Sequence, residues 1–294
     1  MDAPFVSVVI PNLHTPAIGL TLDSLRCQTY ERTRYEVIVV GQDRFGLVQE
    51  DKLVRFIRSD TPLPPAVARN QGAFSARGEI LAFIDADCVA SPDWLATIVS
   101  RYAEPGVQVV GGAVAFDCDQ YWMLADNIGT FYDYLTDAPG DHRSQLPSLN
   151  FSVRREPFVE VGGFDERYPK PAGEDSDLCL RLRHRGHRLC FERRAVVHHH
   201  PPRTHPVDLL RHAFTLGKYS IKVDPRYAGT PDSLPPVLRW RLSLILVAPV
   251  LAGGVVTRIY LPRPKLRRFW YTAPAVFAAK IMWCFGAATH PNWT

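Results

Sequence analysis

The stretch that most constrains the fold is residues 79–88, which reads EILAFIDADC. Five apolar residues, Ile80–Ile84, stop abruptly at Asp85, and Asp87 follows after one small residue. A run without polar alternation predicts a central strand of a parallel sheet that is covered on both faces. Ligands of open α/β sheets bind beyond the carboxyl ends of such strands, so we expect Asp85 and Asp87 at a binding site.

The two carboxylates can be interpreted in two ways. Carboxylates this close repel each other unless they share a cation, and Mg²⁺ or Mn²⁺ would accept their oxygens together with substrate phosphates. Alternatively, both are turn formers, with Asp87 and Ser91 competing to cap the helix that Pro92 begins. A short Asp-x-Asp pattern does not decide between these interpretations.

Composition limits the other classes of function. A chain of 294 residues can build one large α/β domain with an appendage, and its 46% hydrophobic and 22% charged residues are typical of a folded protein. The net charge of +4 is slight, so no nucleic-acid binding is expected. Basic clusters at residues 181–194 and 263–268 suggest anionic partners such as a diphosphate or a lipid surface.

Cysteine usage and the amino terminus indicate the compartment. The six cysteines form no CxxC pair, so neither a zinc site nor a disulfide framework is expected. No basic-then-apolar leader precedes the first strand. We therefore expect the chain on the reducing, cytosolic side.

Strand and helix signals alternate along the chain. Strands are expected at residues 5–10, 35–40, 54–57, 80–84, 107–114, 149–153 and 195–200, and helices near 15–28, 66–76, 92–102, 122–135, 156–161 and from 174 onward. This spacing predicts right-handed crossovers and a mainly parallel sheet. Residues 117–147 are polar and aromatic and are punctuated by proline, which favours acceptor contacts or a lid.

The order of motifs resembles the family-2 glycosyltransferases, enzymes of the GT-A fold that invert the anomeric centre of a nucleotide-activated sugar. The matching motifs are SVVIPN at 7–12, EVIVV at 36–40, ARNQG at 68–72, DADC at 85–88, GGFDE at 162–166 and GEDSDLCLRL at 173–182, followed by a histidine after AVV. The resemblance implies an α/β, Rossmann-like GT-A catalytic domain over residues 1–205. Its nucleotide-binding part would be 1–116 and its acceptor part 117–205.

The resemblance also implies a donor and metal site. The donor residues would be Pro11, Asn12, Asp43, Arg69, Asn70, Asp85 and Asp87. Family members usually carry an acid directly after the second strand to bind the base; here Gly41 stands there and Asp43 lies two positions further, so a uridine diphosphate (UDP) sugar is only the first expectation. Asp87 would bind Mn²⁺ or Mg²⁺ together with a histidine. Strand alternation counted from Ala195 favours His199, whereas the following Pro-Pro-Arg favours His200.

Glycosyl transfer defines the other parts of the site. The transition state resembles an oxocarbenium ion and a diphosphate departs, so a cation must absorb charge while a base takes the proton of the acceptor hydroxyl. Asp175, in the GED sequence that resembles the family's base motif, is the candidate base, and Glu174 would orient the acceptor. Asp177 lies where a helix dipole alone favours an acid, and all three could merely begin a helix.

Three further residues are candidates for acceptor contacts: Gly163, Phe164 and Trp94. The aromatic rings of Phe164 and Trp94 would serve equally well in a hydrophobic core, because stacking on a sugar and packing in a core give the same sequence signal. The core is the simpler interpretation.

The last third of the chain predicts membrane attachment. Residues 206–240 form an amphipathic helix and linker, and residues 241–294 form an apolar helical segment with stretches at 242–257 and 269–288. A two-span hairpin would place the basic loop 263–268 on the far side, against the tendency of such loops to stay cytosolic. We therefore favour a monotopic or re-entrant attachment at the cytoplasmic face of the inner membrane, with a hairpin or an apolar subdomain as alternatives.

Together these features predict an inverting, metal-dependent glycosyltransferase. Its partners would be a nucleotide diphosphate sugar, a saccharide or lipid-linked acceptor, and the membrane surface. Only Arg239-Trp240 remains of the Gln-x-x-Arg-Trp signature of processive relatives, which favours single transfer. The alternatives are a nucleotidyltransferase of similar fold, although residues 11–19 are not a glycine-rich phosphate loop, and a non-catalytic membrane-docked partner.

Overall fold

The chain folds into two compact units, as seen in a computed structural model that describes residues 3–117 and 119–290. The sheet unit contains the described residues up to Ala115 together with Asp133–His200. The helical unit contains Phe116–Tyr132 and the described residues from Pro201 onward. The expected catalytic domain over residues 1–205 therefore differs from the observed grouping, since residues 116–132 fold with the carboxyl-terminal helices.

The sheet unit contains the eight strands found in the described chain. They are β1 (Val6–Leu13), β2 (Tyr35–Gln42), β3 (Val54–Arg58), β4 (Ile80–Ile84), β5 (Cys88–Ala90), β6 (Val109–Ala115), β7 (Asn150–Arg154) and β8 (Leu189–His199). They form one sheet in the order β3-β2-β1-β4-β7-β6-β8-β5. The four strands β3, β2, β1 and β4 are parallel, whereas β7 is antiparallel to both of its neighbours. The expected α/β sheet is confirmed, with a wholly parallel half and a mixed half.

Helices flank the sheet and make up most of the second unit. The α-helices are α1 (Ile18–Arg26), α2 (Pro65–Ser75), α3 (Trp94–Tyr102), α4 (Tyr121–Phe131), α5 (Arg155–Glu160), α6 (Glu174–His184), α7 (Pro206–Lys218), α8 (Arg241–Tyr260), α9 (Pro264–Arg267) and α10 (Ala273–Ala288). Short 3₁₀ segments lie at Arg32–Arg34, Tyr132–Tyr134, Pro225–Tyr227, Pro236–Arg239 and Trp270–Thr272. Of these helices, α4 and α7 to α10 belong to the helical unit.

The central strands are buried on both faces, as their uninterrupted apolar runs require. Every residue of Ile80–Ile84 is fully buried, and so are residues 8–10 of β1 and 37–40 of β2. Helix α2 packs closely over β1 because Gly72 has no side chain: a Cβ there would lie 2.4 Å from Val9. This burial fixes the strand ends in space, and those ends carry the polar residues of the site.

The helical unit is held together by a close crossing of α7 and α10. A Cβ on Gly217 would lie 1.9 Å from the carbonyl oxygen of Trp283, and a Cβ on Gly286 would lie 1.9 Å from that of Phe214. At Gly253 and Gly254 of α8, by contrast, an added Cβ would meet nothing within 4 Å in the described chain. The tightest helix packing therefore lies at a pair of glycines that the apolar pattern does not reveal.

Helix α8 is apolar but largely uncovered. Among the described residues it is the one helix that is long and apolar enough to cross a membrane. Its exposed face contains Leu242, Leu246 and Val250, each about three-quarters exposed. The second expected apolar stretch forms α10, which has 16 residues and packs against α7 and α8. Residues 3–117 and 119–290 thus contain one candidate span and not the pair that a hairpin would require.

Candidate active site

Asp85 and Asp87 lie in a tight turn at the carboxyl end of β4. The amide of Cys88 donates to the carbonyl of Asp85 at 3.1 Å, and the Thr21 hydroxyl of α1 donates to the carbonyl of Ala86 at 2.9 Å. These bonds hold the turn against the sheet while the side chains of Asp85 and Asp87 stay 29% and 18% exposed. A fully buried strand thus ends in two accessible carboxylates.

The turn leads into β5, a three-residue strand that the sequence pattern did not predict. Strand β5 pairs antiparallel with β8, with Cys88 opposite His199 and Val89 opposite His198. Directly opposed residues share a face of the sheet, so His199 lies on the face of Cys88. The Nε2 atom of His199 is 3.8 Å from Oδ1 of Asp87.

The neighbouring His200 contacts Asp87 differently. Its backbone amide donates to the carbonyl of Asp87 at 2.9 Å. Of the two histidines expected as ligands, His199 therefore has its ring beside the Asp87 carboxylate, and His200 supports the turn through its backbone. The metal-binding role itself stays a prediction.

The side chains around Asp87 fit a divalent cation. A carboxylate oxygen of Asp87, Sγ of Cys88 and a ring nitrogen of His199 all lie within 4.8 Å of one another, the one such trio in the part of the chain that the structure describes. A cation about 2.0–2.3 Å from each ligand atom requires ligand separations of this size. Oxygen, nitrogen and sulfur donors are all ligands of first-row divalent metals.

Arg69 of α2 lies behind Asp85 at the centre of a buried ion cluster. Its Nη2 donates to Oδ1 of Asp85 at 2.7 Å and its Nη1 to Oε1 of Glu174 at 2.9 Å. Burial alone would lower the pKa of Arg69, but the two carboxylates raise it, so the guanidinium stays charged. The expectation that Arg69 faces the donor diphosphate needs correction: its side chain is 2% exposed and reaches the site only through Asp85.

Asn70 is buried on the same helix. Its Nδ2 donates to the carbonyl of Phe164 and to Glu166, both at 2.9 Å, and its Oδ1 accepts from the amide of Phe164 at 2.9 Å. The side chain thereby ties α2 to the GGFDE loop, where a Cβ on Gly163 would lie 2.6 Å from Oδ1 of Asn70. Asn70 was expected to contact the donor and Gly163 the acceptor, but in the structure both residues pack against each other inside the protein.

The two candidate acceptor aromatics lie in the core. Trp94 has no exposed surface and donates from Nε1 to Oδ1 of Asn150 at 2.9 Å. Phe164 is buried and packs edge-on against Phe83, with 5.2 Å between ring centroids. Neither ring is accessible to a sugar, so the acceptor expectation for both is wrong and the core interpretation holds.

Glu174 and Asp175 begin α6 but have different surroundings. Burial and the neighbouring Asp175 raise the pKa of Glu174 to about 7, against the opposing effect of Arg69. Oε2 of Glu174 is buried and has no hydrogen-bond partner among the described residues. Glu174 is thus locked by Arg69 and closed to a substrate.

Asp175 remains partly exposed. Its Oδ2 accepts from the amide of Ser148 at 3.3 Å and its Oδ1 from the amide of Ser176 at 2.7 Å. Burial raises the pKa of Asp175, which makes its carboxylate a stronger base than an ordinary aspartate. The third acid of the helix, Asp177, is buried and paired with Arg181 at 2.6 Å, so it supports α6 internally.

The nucleotide edge is built at the ends of β1 and β2. Strand β2 continues to Gln42, so Asp43, and not Gly41, directly follows the strand. Gly41 has φ +128°, and a Cβ there would lie 2.1 Å from the carbonyl oxygen of Asn12, which excludes an acid at this position. Asn12 is also buried and donates from Nδ2 to the carbonyl of Gln42 at 2.9 Å.

The edge leaves two of the expected donor residues accessible. Pro11, on β1, and Asp43 are both partly exposed. The carboxylate of Asp43 accepts from the amides of Phe45 and Val48, at 3.1 and 2.7 Å. Asp43 therefore shapes the loop after β2 while still bordering the site.

Two residues of the site were not singled out from the sequence. Ser148 contributes only its backbone amide to Asp175, for which a sequence gives no signal. Cys88 directly follows the Asp-x-Asp motif, and this position was the one sequence signal that it belongs to the site. Its pairing with His199 could not be predicted, because it depends on β5.

Known proteins share this architecture. Residues 7–161 match the family model described as Glycosyl transferase family 2. The chain is 28% identical over 302 residues to Glycosyltransferase AglE of Haloferax volcanii, covering 96% of this chain and 92% of that protein. It is 27% identical over 201 residues to a glucosyl-dolichyl phosphate glucuronosyltransferase of the same organism, covering 61% and 63%.

A solved structure confirms the fold. The mannosyltransferase PcManGT from Pyrobaculum calidifontis, in complex with GDP-Man and Mn²⁺, superimposes with a TM-score of 0.60 and 20% identity. The match covers 95% of this chain and 86% of that one.

Proposed function

Since the chain belongs to glycosyl transferase family 2 and is therefore a glycosyltransferase with a nucleotide-sugar donor, we propose that it transfers the sugar with inversion, once per acceptor, in a cation-dependent reaction. One observation carries the proposal: Arg69 joins the carboxylate turn at the end of β4 to the first turn of α6. A donor-binding acid and the partly exposed Asp175 thereby belong to one rigid cluster. Inverting displacement needs both a held donor and a base.

The donor side rests on Asp85, Asp87 and His199. When bound by Asp87 and His199, Mn²⁺ or Mg²⁺ would neutralise charge on the departing diphosphate. Mn²⁺ accompanies the donor in the similar mannosyltransferase. Asp85 is fixed through Oδ1 by Arg69 and stays exposed enough to accept a hydrogen bond from a hydroxyl of the donor.

The acceptor side rests on Asp175. As the acceptor oxygen attacks the anomeric carbon, its proton passes to the Asp175 carboxylate, and the nucleoside diphosphate leaves from the opposite face, which inverts the centre. The amides of Ser148 and Ser176 hold the carboxylate in one orientation. Glu174 is unsuited to this step because its Oε1 is bonded to Arg69 and its Oε2 is buried.

The nucleotide would lie against the ends of β1 and β2, near Pro11 and Asp43. A UDP-sugar remains the first expectation, although the similar mannosyltransferase contains GDP-Man. Calorimetric titration with a panel of nucleoside diphosphates, with Mn²⁺ or with chelator, identifies the base.

The central experiment compares Asp175→Asn with Glu156→Gln, an exposed acid in the first turn of α5 that serves as the matched control. Asp175→Asn should lower turnover about 10²–10⁴-fold, the contribution of a general base, while nucleoside diphosphate binding is kept. The control should match the wild type. Normal turnover in Asp175→Asn would exclude Asp175 as the base, and a product with retained anomeric configuration by NMR would exclude inversion.

We further propose a lipid-linked acceptor at the cytoplasmic face of the inner membrane. One relative is named for action on a glucosyl-dolichyl phosphate. In the helical unit, the exposed apolar face of α8 contains Leu242, Leu246 and Val250, and the basic segment 263–268 lies nearby in sequence. Apolar surface beside basic residues is the combination that binds anionic lipid headgroups.

Vesicle flotation tests this attachment. Leu246→Glu should weaken binding to vesicles that contain anionic phospholipid, whereas Leu20→Glu, at an exposed leucine of α1, should not. Equal flotation of both variants would exclude α8 as the contact.

A further inference from the structure

Cys88 lies within bonding range of the proposed cation site. Its Sγ is 4.0 Å from Oδ1 of Asp87, the same oxygen that is 3.8 Å from Nε2 of His199. Cys88 and His199 are direct partners across β5 and β8, so their side chains project from the same face. We propose that Cys88 is a third protein ligand of the cation, and that its thiolate makes the site prefer Mn²⁺ and softer divalent ions over Mg²⁺.

This inference rests on the proposed function, because the cation site at Asp87 and His199 is part of it. A buried cysteine often serves only as a small apolar side chain. Cys179 and Cys190 are buried too, yet within the described ranges neither joins a carboxylate and an imidazole at ligand spacing. Cys88 therefore differs from them in its neighbours and not in its burial.

The ligand set has a consequence for the choice of metal. Mg²⁺ is a hard ion that takes oxygen ligands in near-octahedral geometry. Thiolate is a soft ligand that selects ions such as Zn²⁺, and the affinity of a site with oxygen, nitrogen and sulfur ligands rises from Mn²⁺ to Co²⁺ along the first-row series. A site with one ligand of each kind should thus discriminate against Mg²⁺ far more than a carboxylate pair would.

Cobalt provides a direct readout, since a Co²⁺–thiolate bond gives an intense near-ultraviolet charge-transfer band. The full chain is titrated with Co²⁺, with and without UDP, as wild type, Cys88→Ser, Asp87→Ala and Cys190→Ser. The last variant is the matched control, a buried thiol on β8 outside the trio. Cd²⁺ and Mg²⁺ affinities are measured by calorimetry on the same proteins.

The proposal predicts a band in the wild type and in Cys190→Ser that is absent from the other two variants. Cys88→Ser should weaken Cd²⁺ binding at least about 10-fold, the smallest loss seen for outer-shell changes at metal sites, and leave Mg²⁺ binding nearly unchanged. If Cys88→Ser does not fold, the band in the wild type and its loss in Asp87→Ala decide the question.

Two other outcomes separate the possible failures. Co²⁺ binding without the band, with equal affinities in the wild type and Cys88→Ser, would overturn the role of Cys88 and leave the cation site standing. No binding of Co²⁺ or Mn²⁺ to the wild type, even with UDP, would overturn both.

Discussion

The sheet unit and the helical unit each contain a buried charged side chain held by two partners of opposite sign, but the surrounding balance of charge is opposite in the two units. In the sheet unit the cation Arg69 lies between Asp85 and Glu174, with Asp175 adjacent, so acids are in excess. In the helical unit the anion Asp126 lies between Arg203 and His212, at 2.6 and 2.7 Å.

The difference appears in the titration of the buried acids. Burial alone would raise the pKa of Asp126, but His212 and Arg203 hold it well below its usual range. The excess of acids instead leaves the pKa of Glu174 at about 7. The cluster of Asp126, in which the anion has cationic partners, stabilises its unit. The cluster of Arg69 has more acids than bases, and such an excess produces the perturbed carboxyl pKa values that are common at active sites.

The largest effect on stability is expected from Arg69→Met, which keeps the apolar stem and removes the charge. Glu174 would then be buried without a partner, so the free energy of unfolding should fall by about 3 kcal/mol or more. Transferase activity should be lost as well, because Asp85 and the start of α6 lose their connection. Urea unfolding at pH 7 measures the change, and a loss below about 1 kcal/mol would contradict the central place of Arg69.

A smaller effect is expected from Asp126→Asn in the helical unit. Arg203 and His212 are about one-fifth exposed, so water can solvate them once the carboxylate is removed. The free energy of unfolding should fall by about 2 kcal/mol, with turnover unchanged where the protein is folded. If Asp126→Asn lowered turnover as strongly as Asp175→Asn does, the cluster of Asp126 could not be called purely structural.

The smallest effect concerns pH. The folded-state pKa of Glu174 is raised above its unfolded value, so its contribution to stability is present below about pH 4.5 and is lost as the pH rises toward 7. Between pH 5 and 7 the wild type should lose about 1–2 kcal/mol relative to Glu174→Gln. Melting temperatures of both proteins across this range measure the difference.

Asp126 provides the opposite sign as a control. Its pKa is depressed, so its contribution is present above the unfolded value near 3.8 and is lost only as the pH falls below it. The Asp126 carboxylate itself should therefore add no pH dependence to the stability between pH 5 and 7. Parallel curves for Glu174→Gln and wild type would show that Glu174 does not titrate there.

Much of the fold could be predicted from local sequence. The runs at β1, β2 and β4 are uninterrupted because helices cover both faces of the sheet, and the same burial places Asp85 and Asp87 at the strand end. The GED motif indicated the first turn of α6 for a different reason: acidic residues are favoured there by the helix dipole.

What could not be predicted depends on tertiary pairing. Strand β5 has three residues, too few for an alternation signal, and exists through its ladder with β8. The partners of Arg69 are 16 and 105 residues away in sequence. Its burial could not be predicted, because a charged side chain by itself suggests contact with solvent or phosphate. The grouping of α4 with the carboxyl-terminal helices likewise arises from contacts distant in sequence.

The crossing of α7 and α10 at Gly217 and Gly286 has an evolutionary consequence. Each glycine faces the backbone of the other helix, so neither can gain a side chain unless the helices move apart. Once they separate, the second glycine loses the constraint that kept it. Across descendants of this chain the two positions should therefore change together or not at all, as a covarying pair in which a single substitution is rarer than a double one.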